Sequence, residues 1–236
     1  MQGGLRDKIT NMHNPPKPLC DASILLIQEA GNPDGKGLSV DEKVNIFGRN
    51  FWCIISEKDP GAKSNYRCTT SILADQQGRC RISGGGVCGE RGIRPVVFVN
   101  TDFGRIATVH NTADGTIGSL MNVIRKEFDP CDSWIIMGDM NKSPKELTGM
   151  DSFPQQLNFY NLGSSSRPYG FFFIYHESPT QGAKCNRNRI LDYCFVSHYM
   201  SERIINGNRA PMMNEMISGP NGCLSDHNMI GIGVHF

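Results

Sequence analysis

Apolar residues fall along this chain in short bursts. The runs at 24–27, 51–55, 69–73, 95–99, 106–109, 134–137, 171–175, 193–196 and 229–234 each have strand length. They are rich in β-branched or aromatic residues and are bounded by Gly, Asp, Asn or Pro, the pattern of β-strands. Helical patterning is sparser. Ile117, Leu120, Met121 and Ile124 share one face of a segment from Thr116 to Phe128, and Leu5 to Met12 reads as a short helix. Ser143-Pro144-Lys145-Glu146 has the form of a capping box with Pro at the first helical position. Many strands and few helices predict two packed sheets with helices on their outer faces.

Length and composition narrow the class. With 236 residues and no internal repeat or low-complexity linker, the chain suits one domain spanning residues 1–236. Hydrophobic content of 39% with 20% charged residues excludes a disordered or fibrous protein. The net charge is +1, so no global field draws in a polyanion, and any phosphate binding has to come from a local cluster. No apolar run approaches the roughly 20 residues of a membrane span. The opening MQGGLRDKIT lacks the apolar stretch of a signal peptide.

Nine cysteines are scattered without a CxxC pair, which weakens a zinc-site reading. Cys80 and Cys88 flank a Gly-rich stretch, Ile82 to Val87, that reads as a turn. Their spacing suits a local disulfide and an oxidising, secretory setting. Buried thiols are the alternative.

Polar residues recur at the ends of the apolar runs. Glu29 follows Ile24 to Gln28, His110 ends Ile106 to Val109, and Asp139 and Asn141 follow Trp134 to Gly138. Asp192 opens the Tyr193 to Val196 run, and Asp226 and His227 precede the last one. In an extended chain residues i and i+2 face one side, so Asp139 and Asn141 are expected to reach one ligand together. Carboxylates suit a hard cation such as Mg²⁺, and histidine is the side chain poised for proton transfer near neutral pH. Singly, each is more often a turn former or a surface group than a catalytic one. Together they point to phosphate-ester hydrolysis. His13, His176, His198 and His235 have no such setting and read as structural.

The ordered set QEAG (Gln28 to Gly31), His110 in VHN, GDMN (Gly138 to Asn141), LDY (Leu191 to Tyr193) and SDH (Ser225 to His227) resembles the endonuclease/exonuclease/phosphatase superfamily. Within it, QEAG, the Arg94-Pro95 pair before a strand and the LDYxxVS run to Ser197 are most similar to the catalytic B subunits of cytolethal distending toxins. The resemblance implies a four-layer α/β sandwich of two mostly antiparallel sheets flanked by helices. It also implies a Mg²⁺-dependent deoxyribonuclease, other divalent cations being possible. Glu29 would bind the metal, with Asp226 supporting that side. Asp139 and Asn141 would hold the scissile phosphate and its attacking water. His227 would act as general base with Asp192 orienting its ring, and His110 would protonate the leaving oxygen or stabilise the transition state. Arg94 and Arg67 would contact substrate phosphate, a solvated surface charge being the other reading of Arg67.

Two departures accompany the resemblance. The first strand of the family, ending in Trp-Asn, has no counterpart before Met1-Gln2-Gly3-Gly4, so the chain is expected to be part of a longer one whose leader precedes it. The Pro that usually follows SDH is replaced, Asn228 and Met229 standing there. The implied role is a secreted genotoxin subunit with DNA as substrate, delivery subunits as partners and the host-cell nucleus as site of action. The other readings are a phosphoinositide or sphingolipid phosphohydrolase and a catalytically inactive binding protein. The Phe171 to Tyr175 run is the one stretch apolar enough for lipid docking, and a buried strand is its simpler reading.

Overall fold

The computed structural model describes residues 15, 17–28, 43–56, 70–75, 77, 80–89, 94–112, 117–128, 132–148, 159–161, 170–174, 189–205, 213–215, 218–219, 222–223 and 229–231. Strands β1 (Ile24–Gln28), β2 (Lys43–Ile46), β3 (Arg49–Ile55) and β4 (Thr70–Asp75) form a four-stranded sheet in the order β1-β4-β3-β2. The second sheet contains β5 (Ile82–Cys88), β6 (Val96–Thr101), β7 (Gly104–His110), β8 (Trp134–Asp139), β9 (Phe159–Asn161), β10 (Gly170–Ile174) and β11 (Asp192–Val196). Its order is β5-β6-β7-β8-β11-β10-β9, and β7 with β8 is the one parallel pairing among the described strands. Two small pairs complete the set: β12 (Met213–Glu215) with β15 (Met229–Gly231), and β13 (Ser218–Gly219) with β14 (Gly222–Cys223).

The period of two along each strand sorts side chains into layers. Val97 and Val99 of β6, Ile106 of β7, Ile135 of β8, and Cys194 and Val196 of β11 meet Ile54 and Ile72 of the four-stranded sheet, forming the core between the sheets. Their alternates Val96, Ala107, Val109, Ile136, Tyr193 and Phe195 face outward. There they are covered by Leu120, Val123, Ile124 and Phe128 at helix α2 (Ile117–Glu127), and by Leu147 of α3 (Pro144–Thr148). On the far side Leu25, Phe51, Cys53 and Leu73 pack with Leu19 of α1 (Lys17–Asp21). Helix α4 (His198–Ile205) adds Met200 and Ile204 to the central core. The expected sandwich of two mostly antiparallel sheets flanked by helices is what the chain forms. Arg49 ties α1 to the sheet by donating to Asp75 and to the carbonyls of Cys20 and Ala22.

The Gly-rich stretch is not a turn. Ile82–Cys88 is a strand whose ends lie roughly 20 Å apart, and Cys80 stands before its first residue, so no turn brings the two cysteines together. Cys80 enters the core between the sheets and Cys88 the outer one, and both are separate thiols. The expected disulfide is therefore absent. The glycines serve close approach instead, because a Cβ on Gly85 would sit 2.3 Å from Ile54 Cδ1 and 2.6 Å from the Phe98 carbonyl oxygen. The Phe171–Tyr175 run is strand β10 up to Ile174, which is buried in the central core. The helix expected at residues 5–12 lies outside the described residues.

Candidate active site

Parallel pairing brings the C-terminal ends of β7 and β8 to one end of the sheet, and antiparallel pairing adds the N-terminal end of β11. His110 is in register with Asp139, and Asp139 with Asp192. All three are buried. Each is an even number of residues from a side chain of the central core on its own strand, so all three share that face. His110 Nε2 stands 3.5 Å from Asp139 Oδ2. Two residues before His110, Thr108 Oγ1 accepts from Gln28 Nε2 at 2.7 Å, which pins the last residue of β1 to the same region.

Beyond Asp139 the chain turns instead of staying extended. Asn141 has φ of 54°, so the expectation that Asp139 and Asn141 face one side as i and i+2 of a strand does not hold. A turn brings them together instead. The Asn141 N–H donates to Asp139 Oδ1 at 2.8 Å, and Asn141 Nδ2 donates to the Asn111 carbonyl at 2.6 Å. Asn111 Nδ2 donates to the Met140 carbonyl at 3.3 Å, and the Met140 N–H donates to the Leu191 carbonyl at 2.8 Å. Three chain segments are thus laced at the residues that carry the polar tips.

Further support comes from the next few residues. Ser143 and Glu146 form the expected capping box: Glu146 Oε2 accepts from the Ser143 N–H at 2.8 Å, and the Glu146 N–H donates to Ser143 Oγ at 3.3 Å. Arg189 Nη2 donates to both Glu146 oxygens at 3.0 Å. The two Ser143 bonds hold the Glu146 carboxyl at about 2, with a smaller contribution from Arg189. Tyr193 donates its hydroxyl to the Lys142 carbonyl at 3.0 Å. Burial, followed by the charges of Asp139, Glu146 and Asp192, pushes that phenol well above its ordinary range, so it remains a donor.

Of the residues singled out from the sequence, the fold unites His110, Asp139, Asn141 and Asp192 at one sheet end. Arg94 precedes β6, whose Val97 lies opposite Thr108, and so belongs to that end as well. Its Nε and Nη1 are buried with no hydrogen-bond partner among the described residues. Glu29, Arg67, Asp226 and His227 lie outside the described residues. His198 is exposed on α4, 3.4 Å from Glu202.

No family model matches the chain, and no curated protein matches it. Solved structures do. CdtB, the biologically active subunit of cytolethal distending toxin, superposes with a TM-score of 0.57 at 18% identity over 96% of this chain and 92% of that one. The cytolethal distending toxin of Actinobacillus actinomycetemcomitans gives 0.55 at 19% identity over 88% and 83%. A 3′ phosphatase, NExo, from Neisseria bound to product DNA hairpin gives 0.51 at 14% over 94% and 90%. The chain shares the fold of these structures, the deoxyribonuclease I-like sandwich.

Within this deoxyribonuclease I-like fold, the donor chemistry at the sheet end fits a hard cation. Asp139, Asn141 and Asp192 offer carboxylate and amide oxygens, and no thiol stands among them. Among the described residues no group of three or more His, Cys, Asp or Glu side chains forms a metal cage, and the two expected ligands, Glu29 and Asp226, are outside them. Sequence reasoning passed over Asn111, Gly138, Tyr193 and Arg189 as contributors. Their signal was adjacency to the motifs: Asn111 in VHN, Gly138 in GDMN, Tyr193 in LDY. A Cβ on Gly138 would lie 2.0 Å from the Val109 carbonyl oxygen, so this position admits no side chain while β7 and β8 keep their spacing.

Proposed function

We propose that the protein is a Mg²⁺-dependent phosphodiesterase that cleaves DNA, acting as the catalytic subunit of a secreted toxin. The observation that carries this reading is the meeting of His110, Asp139 and Asp192 on one face at one end of the sheet. Asp139 orients the His110 ring, which donates a proton to the leaving oxygen or hydrogen-bonds the charge that builds on the phosphoryl group. Asn141 positions the scissile phosphate. Arg94, whose guanidinium has two buried donors without a partner among the described residues, supplies charge-assisted bonds to a phosphate. His227 takes the proton of the attacking water, and Asp192 orients its imidazole. Glu29 and Asp226 would hold Mg²⁺, which when bound neutralises charge on the phosphate. Arg67 is a second phosphate contact in this reading.

Likeness to CdtB, together with the motif set, supports the toxin role, with delivery subunits as partners and the host-cell nucleus as destination. No helix among the described residues is long and apolar enough to cross a membrane. Nicking of supercoiled plasmid with Mg²⁺ tests the activity. The parent protein is expected to nick and Asp139→Ala, His110→Ala and His227→Ala to lose the activity by at least about 100-fold. Variants that nick as well as the parent would remove the reading, and phosphate release from a phosphoinositide without nicking would replace it.

A further inference from the structure

One peptide unit in the site is gripped at both ends. The unit joining Met140 to Asn141 gives its N–H to Asp139 Oδ1 at 2.8 Å and receives Asn111 Nδ2 on its carbonyl at 3.3 Å. Its orientation is coupled to the Asn141 backbone, whose φ of 54° lies in the left-handed region. That region is disfavoured for residues with a Cβ, Asn being among the more tolerant. Rotation of this unit therefore moves Asn141 and the Asp139 carboxylate together.

Asn111 is built to prevent that rotation. It is 1% exposed, and its own N–H donates to the Asp139 carbonyl at 2.8 Å, which anchors it to the end of β8. Its carbonyl accepts from Asn141 Nδ2 at 2.6 Å, and its Oδ1 accepts from the Thr112 N–H at 3.0 Å, which fixes the amide so that Nδ2 faces Met140. An aliphatic residue here would keep the backbone bonds and lose both side-chain bonds, the hold on the Met140 carbonyl and the acceptor for the Thr112 N–H. That carbonyl would stay buried and lose this side-chain donor, because Met140 is fully buried.

We propose that Asn111 is a positioning residue that acts through Asn141. Its side chain locks the 140–141 peptide so that the Asn141 amide meets the substrate phosphate while the Asp139 carboxylate keeps its place beside His110. This rests on the phosphodiesterase reading of the site.

The test uses steady-state cleavage of a DNA duplex with Mg²⁺ by the full chain carrying Asn111→Ala, Asn111→Asp, Asn141→Ala and the Asn111→Ala/Asn141→Ala pair. Asn111→Asp retains the volume and the acceptor for Thr112 and lacks the donor at neutral pH, so it serves if Asn111→Ala folds poorly. Both Asn111 variants are expected to lower kcat by about 10- to 100-fold, the scale of a slight misplacement of reacting groups, with KM changed less than about twofold. The double variant is expected to be no slower than Asn141→Ala alone, since Asn111 has nothing left to position. Parental kcat in a folded Asn111→Asp, or losses that multiply in the double variant, would overturn the proposal. Failure of the underlying reading looks different: the parent itself would not cleave, or Asp139→Ala and His110→Ala would cleave as it does.

Discussion

Replacing Gly138 with alanine is a severe test of how the site is assembled. The added Cβ would lie 2.0 Å from the Val109 carbonyl oxygen, where ordinary contact begins at 3.4 Å, so β7 and β8 have to part locally by about 1.4 Å. Neighbouring strands stand only about 4.8 Å apart, and a displacement of that size breaks the ladder bonds on either side. Two or three such bonds at about 1 kcal/mol each give a loss of roughly 2–3 kcal/mol. In a chain of this size that lowers the melting midpoint by about 5–10 °C. The same displacement separates His110 from Asp139, which are in register one residue further on. A shift of about 1 Å in a catalytic array costs on the order of 100-fold in rate. Gly104→Ala is the control. Gly104 has φ of 139° and its Cβ would sit 2.2 Å from the Ser133 carbonyl oxygen, a comparable clash at the opposite end of β7. Thermal melts by circular dichroism, with plasmid nicking well below both midpoints, separate the two effects. Both variants should melt earlier, and only Gly138→Ala should lose nicking. The reasoning fails if Gly138→Ala melts and nicks like the parent, or if folded Gly104→Ala loses nicking equally.

Other outcomes follow from the supporting contacts. Glu146 is held at about 2 in the folded chain against an ordinary 4.5, so its contribution is fully present above the ordinary value and lost as pH falls through the folded one. Urea midpoints of the parent should exceed those of Glu146→Gln at neutral pH and converge near pH 2; a gap that widens on acidification would contradict this. Tyr193→Phe removes the bond to Lys142 and should cost about 1–2 kcal/mol by urea denaturation, with an unchanged midpoint as the adverse result. Burial pushes the Cys80 thiol to about 11 and the Cys88 thiol to about 12, so neither should alkylate in the native protein at neutral pH. Both should label in denaturant without reductant, and a peptide linking Cys80 to Cys88 in the mass spectrum would refute the separate thiols.

The strands were legible where burial imposes a two-residue period, as at Val97, Val99, Ile106 and Ile135 against their outward alternates. The polar tips were legible because they interrupt that period at a strand end. Misreadings arose where one residue type serves two physical purposes. The glycines of β5 look like turn residues and instead admit Ile54 and Phe98 into close approach. Asn141 continues the parity of β8 on paper, but the strand ends at Asp139, whose carboxylate draws the next N–H into a turn. The short strands β2 and β9 and helix α4 lacked a distinctive pattern, since few residues in each supply the periodic signal. The peptide clamp at Asn111 was invisible because it depends on β7 lying beside β8, a pairing no local pattern reports.

That pairing also dictates when, in the life of a newly made chain, activity can first arise. His110, Asp139 and Asp192 come from three separate stretches of chain, and the parallel pair β7–β8 closes only after α2 has crossed between them. Such contacts are far apart in sequence and form late relative to local helices and hairpins. Partly folded forms therefore hold the reactive groups apart, and regain of cleavage during refolding should track the slowest phase of sheet assembly. A chain whose central sheet has not closed would therefore keep His110, Asp139 and Asp192 apart even when its local helices and hairpins are already formed.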